Sequence, residues 1–186
     1  MAKRHERTRA RSNAVQMLYT SEIQGKAASE LLADGCCMVD AEPISDYAVR
    51  LIEGVEANME AIDGYLADTS ENWTISRMPI VDRSILRLAT FEMIYVDEVP
   101  VSVSINEAVE LAKDFGGKDE SPSFVNGVLG RIARMIEAGE TVADPAAVAV
   151  AEGESAADAL EAALAGYDAF DETVEGGEIS SEEAGE

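Results

Sequence analysis

Apolar residues recur at helical spacing through the first 138 residues, and no stretch alternates convincingly with period two. A chain patterned this way folds as helices packed on helices, so the expected fold class is all-α. Proline and glycine divide the pattern into segments. A first helix is expected over 6–23, with Ala10, Ala14, Met17 and Leu18 on one side and Gly25 as its stop. A shorter helix is expected around 29–33, followed by a loop. Pro43 opens the next helix, which carries Tyr47, Leu51, Val55, Met59 and Ile62 at spacings of four, four, four and three. Residues 70–77 form an irregular link containing Trp73. Pro79 starts another helix that runs to about Tyr95, with Val81, Ile85, Leu88 and Ala89 inward.

Val99-Pro100 breaks that helix. Val99-Pro-Val-Ser-Val is the only strand-like run, and it is short and interrupted by proline. Ser104-Ile-Asn-Glu107 has the form of a capping box, in which the serine side chain and the glutamate side chain each satisfy a backbone N–H. Phe115-Gly116-Gly117 has the form of a glycine C-cap. Ser121-Pro122 then starts a last helix, which runs to about Ala138 with Phe124, Val125, Val128, Ile132 and Met135 available for packing.

The formal net charge of −23 weighs at first against nucleic acid as a partner. Its distribution changes that reading. Residues 1–11 have a net charge of +4, residues 12–139 a net charge of −13, and residues 140–186 a net charge of −14 with no lysine or arginine. The chain therefore has a basic head, a mildly acidic body and a strongly acidic tail. Two domains are expected: a helical domain over 1–139 and an acidic, mostly disordered tail over 140–186. Within the tail, 155–167 has helix-forming composition, with Leu160, Leu164 and Tyr167 on one stripe. It reads as a transient helix or as a docking helix.

Several function classes drop out. No apolar run is long enough to span a membrane, and the basic head lacks the apolar core of a secretory signal. Cys36 and Cys37 are adjacent and His5 is the single histidine, so neither a disulfide nor a tetrahedral zinc set is expected. A cytoplasmic protein without metal or cofactor follows. There is no phosphate-binding glycine loop, no Ser-His-Asp set and no HExxH, and Glu107 with Glu110 reads as a cap and a solvated face. No catalytic residue is expected.

The arginines carry the signal. Arg4, Arg7 and Arg11 share a face if the first helix extends that far, and Arg83 and Arg87 share a face of another helix. Guanidinium forks match phosphate oxygens, and nearby aromatic rings stack unpaired bases. The other reading of Arg83 and Arg87 is ion pairing with local carboxylates. The residue pattern alone thus reaches an all-helical module with a basic arm, binding RNA or an acidic partner.

Three stretches resemble the NusB family of bacterial transcription antitermination factors. They are Arg9-Ala-Arg-Ser-Asn-Ala-Val-Gln-Met-Leu-Tyr19; Val81-Asp-Arg-Ser-Ile-Leu-Arg-Leu-Ala-Thr-Phe-Glu-Met-Ile-Tyr95 with Val99-Pro100; and Ile105-Asn-Glu-Ala-Val-Glu-Leu-Ala-Lys-Asp-Phe-Gly116 with Phe124-Val-Asn-Gly-Val-Leu129. Their order and spacing match the family over about 5–138. The resemblance implies a compact fold of two small helical bundles and no enzyme activity. It implies binding to the boxA element of ribosomal RNA leader transcripts together with NusE, a protein of the small ribosomal subunit. The complex then helps RNA polymerase resist termination. By similarity, Arg4, Arg7, Arg9, Arg11, Arg83 and Arg87 would contact RNA, with Phe115 and Phe124 near its path. Tyr19 and Asp82 would lie at the NusE contact, and Gly127 would permit close helix approach. Phe124 also reads as a core aromatic. An assembly factor for the small ribosomal subunit, using the same surface, remains the alternative. Some ribosomal RNA cytosine methyltransferases begin with a similar domain. They need a further cofactor-binding domain, and an acidic tail stands there instead. Residues 25–43 match the family poorly, and 140–186 inherit nothing from it.

Overall fold

The computed structural model describes residues 2–35, 44–69, 74–117 and 120–139. Cys36, Cys37, Pro43, Trp73, the 140–186 tail and its candidate 155–167 helix lie outside the described residues, as do the side chains of residues 2–4. The described elements are all helical: α1 (Ala2–Gln24), α2 (Ala28–Ala33), α3 (Asp46–Ala57), α4 (Met59–Thr69), a 3-10 turn (Ile75–Arg77), α5 (Ile80–Tyr95), α6 (Val101–Phe115) and α7 (Ser121–Ala138).

The helix ends follow from local chemistry. Gly25 and Gly139 take positive φ just beyond α1 and α7, a conformation that costs glycine little. At α3, the Ser45 hydroxyl oxygen accepts from the Ala48 N–H, a side-chain N-cap. Pro79 and Pro100 sit at the N-cap positions of α5 and α6, where a missing N–H costs nothing.

Four expectations change. The long helix expected after Pro43 is two helices, because Asn58 leaves helical geometry and its side-chain amide donates to the Gly54 carbonyl at 2.8 Å. The strand-like run is helical from Val101 onward. Ser104 is not a cap: it lies inside α6, buried, with its hydroxyl donating to Glu92 at 2.6 Å. Gly116 does not cap through a left-handed turn, since its φ is −92°. It is small for a steric reason: a Cβ there would come within 2.7 Å of the Ala112 carbonyl and of Ser121.

The helices form two small bundles, α1–α3 and α4–α7, and α5 joins them by packing on α1, α3, α4, α6 and α7. A helix packed on so many sides must be apolar nearly all round. Accordingly Ile85, Leu86, Leu88, Ala89, Phe91 and Met93 of α5 are all buried, against Met17, Leu51, Ile52, Ile62, Leu66, Leu129 and Ile132 of the other helices. Phe91 fits because α3 presents Gly54 there; an alanine Cβ would clash with the tip of its ring. Gly127, by contrast, is exposed and a Cβ there would meet open space, so it is not a point of close helix approach.

Candidate functional site

Glu92 is fully buried on α5, on the stripe that otherwise carries Ile85, Leu88 and Ala89. A buried carboxylate needs donors, and three helices supply them. Arg11 of α1 donates through Nε at 2.8 and 3.1 Å to the two carboxylate oxygens. Ser104 of α6 donates at 2.6 Å, and the Tyr47 hydroxyl of α3 also donates. The Arg11 guanidinium reaches on to Glu107 at 3.2 Å, which in turn accepts from Thr8 at 2.8 Å. Burial, and then the hydrogen bond to Glu92, push the Tyr47 phenol well above its ordinary range.

This network places the basic arm. The face carrying Arg7 and Arg11 turns toward the body, not away from it. Arg11 is 3% exposed and held by carboxylates. Arg7, one turn earlier, is half-buried with its guanidinium carbon 4.8 Å from the centre of the Tyr47 ring. Arg9 is exposed. Arg4 lies on α1, but its side chain is outside the described residues.

Arg83 and Arg87 are also drawn inward. Arg83 donates to the Ile75 carbonyl at 2.6 Å and pairs with Glu22 of α1. Burial, and then the neighbouring Arg87 charge, lower its pKa from the ordinary arginine value. Arg87 donates two parallel bonds to Asp63 of α4, at 2.8 and 2.7 Å, and a third to Glu22 at 3.3 Å. The two arginines tie α1, α4 and the 3-10 turn to α5. Their guanidinium groups have interior partners, as does that of Arg11, so their geometry gives no support to phosphate contact.

The remaining expected residues are more open. Tyr19 and Ile23, one turn apart on α1, are 39% and 58% exposed. Phe115 is exposed at the end of α6, and Phe124 is half-buried against the core. Both rings line a cavity of about 370 Å³ together with Pro79, Val81, Asp82, Gly116, Gly117, Glu120 and Ser121. Asp82 is 4% exposed there. Its Oδ2 accepts from the Ser121 hydroxyl at 3.2 Å, and that hydroxyl oxygen accepts from the Gly117 N–H at 2.9 Å. Its Oδ1 has no hydrogen-bond partner among the described residues. Burial raises the Asp82 pKa, against the opposing hydrogen bond from Ser121. The structure thus brings Asp82, Phe115 and Phe124 together, and leaves Tyr19 on a separate helix.

Among the described residues no group of three or more His, Cys, Asp or Glu is placed to hold a metal ion, and no helix is long and apolar enough to cross a membrane. Sequence reasoning missed Glu92 and Tyr47, the residues that organise the arm. It also missed a groove of about 530 Å³ between α3 and α5, floored by Phe91 and Tyr95, whose rings stack with centroids 5.3 Å apart.

Comparison with known proteins places this geometry in context. Residues 8–134 match the model of the NusB family. The transcription antitermination protein NusB of Saccharopolyspora erythraea is 48% identical over 128 residues, covering 68% of this chain and 86% of that protein. Among solved structures, T. maritima NusB superposes with a TM-score of 0.62 at 33% identity, covering 69% of this chain and 90% of that one. A crystal structure of the antitermination factors NusB and NusE in complex with dsRNA includes a chain with a TM-score of 0.59 and 24% identity, over 70% of this chain and 97% of that one. The family match over most of the helical body, the identity to a curated relative and the shared fold agree: this chain belongs to the NusB family.

Proposed function

We propose that this protein is a non-catalytic transcription antitermination factor. It binds boxA RNA of ribosomal RNA leader transcripts together with NusE, and the complex helps RNA polymerase resist termination. The observation that carries this reading is the 48% identity to a transcription antitermination protein NusB across the helical body. The similar fold in a complex of NusB, NusE and dsRNA supports the choice of partners. The functional unit is 1–139, and the acidic residues 140–186 follow it in sequence.

In this proposal the RNA meets the N-terminal turns of α1, through Arg4, Arg7 and Arg9, with Phe115 and Phe124 as the nearby aromatic surface. Arg11, Arg83 and Arg87 act indirectly, by fixing the helices that present that surface. Tyr19 and Asp82 face NusE. The test is fluorescence anisotropy with labelled boxA RNA and a scrambled RNA, each with and without NusE. The expected result is preference for boxA, tightened by NusE. Equal affinity for both RNAs in the presence of NusE would overturn the proposal.

A further inference from the structure

We propose that Tyr47 is a positioning residue for RNA binding, holding the Arg7 guanidinium against its ring at the start of α1; the role of Arg7 toward RNA rests on the function proposed above. Two arginines of α1 lie against Tyr47, and they are held in different ways. Arg11 is buried, and Glu92 and Glu107 balance its charge. Arg7 is half-buried with its guanidinium carbon 4.8 Å from the centre of the Tyr47 ring, and among the described residues it has no carboxylate partner. The exposed Glu98 feels the Arg7 charge, but the ion pair it makes is with Arg50.

The kind of partner decides what the arginine can still do. A carboxylate fixes a guanidinium and cancels its charge, as at Arg83 and Arg87. An aromatic face attracts the guanidinium through the ring quadrupole and leaves its charge whole. An unrestrained arginine loses rotamer freedom when it meets a phosphate. One already placed against a ring has lost part of it, so the contact forms with a larger net gain. Arg7 is thus held in place as the paired arginines are, and stays positive toward an anion.

The ring can serve as a platform because it is itself fixed. Tyr47 lies in the first turn of α3, just past the Ser45 N-cap, and packs against the core. Its hydroxyl donates to the buried Glu92. The carboxylate that holds Arg11 of α1 therefore also holds the ring beneath Arg7, and the two contacts set α3 against the first turns of α1. Burial, and then the bond to Glu92, raise the Tyr47 pKa, which keeps the phenol protonated and the ring uncharged. The platform contributes an aromatic face and no charge of its own.

The experiment is fluorescence anisotropy of the full chain with labelled boxA RNA in the presence of NusE, from about 50 mM to about 300 mM salt. Arg7→Ala should weaken binding and flatten the slope of log affinity against log salt by about 0.7, the value for one contact to a single strand. Tyr47→Leu removes the ring and should weaken binding about fivefold at low salt. Tyr47→Phe keeps the ring and loses the bond to Glu92; it should bind within about twofold of wild type while melting at a lower temperature. In the Arg7→Ala background, Tyr47→Leu should change affinity by less than about twofold. An equal loss in Tyr47→Phe and Tyr47→Leu, or full additivity with Arg7→Ala, makes Tyr47 a structural residue only and overturns the proposal. So does wild-type affinity in Tyr47→Leu when Arg7→Ala is weakened. Wild-type affinity in Arg7→Ala removes the arm from the RNA, and the positioning role falls with that reading. Should circular dichroism show Tyr47→Leu unfolded, Tyr47→Phe and proton NMR of the wild-type chain decide. The Arg7 Nε proton should be shifted upfield by the ring current in both, and absence of that shift overturns the platform.

Discussion

Replacing Glu92 with glutamine exchanges one buried oxygen for an amide nitrogen and deletes one charge. The cost follows from which of its donors can adapt. Tyr47 and Ser104 reach Glu92 through hydroxyls, which can turn and accept from the new amide. Arg11 cannot, because a guanidinium has no acceptor. Its Nε faces both carboxylate oxygens, so either orientation of the amide leaves it one good bond and one N–H facing N–H. The larger loss is the charge. Arg11 is 3% exposed, and among the described residues Glu107 at 3.2 Å remains to balance it. Breaking a buried pair costs about 3–5 kcal/mol, and the surviving Glu107 contact points to about 3. The melting temperature should fall by on the order of 10 °C. The assay is urea unfolding followed by far-UV circular dichroism, for Glu92→Gln, Arg11→Met and the double variant. The double variant should be less destabilised than the sum of the singles, by at least about 1 kcal/mol. A cost below about 1 kcal/mol for Glu92→Gln, or simple additivity, would refute the view that this pair fixes α1 on α5.

Arg7→Ala with Arg9→Ala should flatten the dependence of log affinity for boxA on log salt by about 1.4, the value for two contacts to a single strand, with the fold intact by circular dichroism; an unchanged slope removes both from the RNA face. Burial raises the Asp82 pKa in the folded state, so the stability linked to its protonation is present below the unfolded value and lost as pH rises through the folded one. Asp82→Asn should therefore raise the melting temperature at neutral pH, with the gain vanishing below about pH 4; a gain equal at both pH values would refute burial as the cause. Gly54→Ala should cost about 1–3 kcal/mol in urea unfolding, because its Cβ clashes with the tip of the Phe91 ring, and a change within about 0.5 would mean that the ring swings away freely. Deleting 140–186, which carries a net charge of −14, should tighten boxA binding at low salt and lose that advantage at high salt; equal affinity at low salt would show that the tail charge does not act on the RNA.

The helical class was legible because packing of this kind needs a repeating apolar stripe, and each stripe is visible in the chain. Leu51, Val55 and Ile62 are buried as their spacing requires, although the helix that carries them breaks at Asn58. The break was hidden because the stripe continues across it. Ser104 misled for a different reason. A serine three residues before a glutamate satisfies the capping pattern wherever it falls, and only the packing of α5 on α6 decides that its hydroxyl serves Glu92. The Val99–Val103 run looked extended because β-branched residues cluster there, but Pro100 starts a helix as readily as it ends one.

The binding surface was less legible, and the cause is the charge balance. With 37 acidic residues against 14 basic ones, every arginine has carboxylates within reach in sequence. Spacing on a helix face cannot then separate an arginine that meets a phosphate from one that closes an interior pair. The discriminating signal lay on the acidic side. Glu92 follows Ile85, Leu88 and Ala89 at helical spacing, so it occupies the inward stripe and must find a cation inside. No such signal marked Asp82, which reads as an ordinary carboxylate in the first turn of a helix. Its burial comes from the α6–α7 corner, brought across it from more than thirty residues away in sequence. The physical consequence reaches the proposed function. With Arg11, Arg83 and Arg87 paired to carboxylates, the proposed RNA contact of α1 falls to Arg4, Arg7 and Arg9. Few phosphate contacts release few counterions, so under the proposed function the expected affinity for RNA of this chain alone is low, rising with what a partner adds.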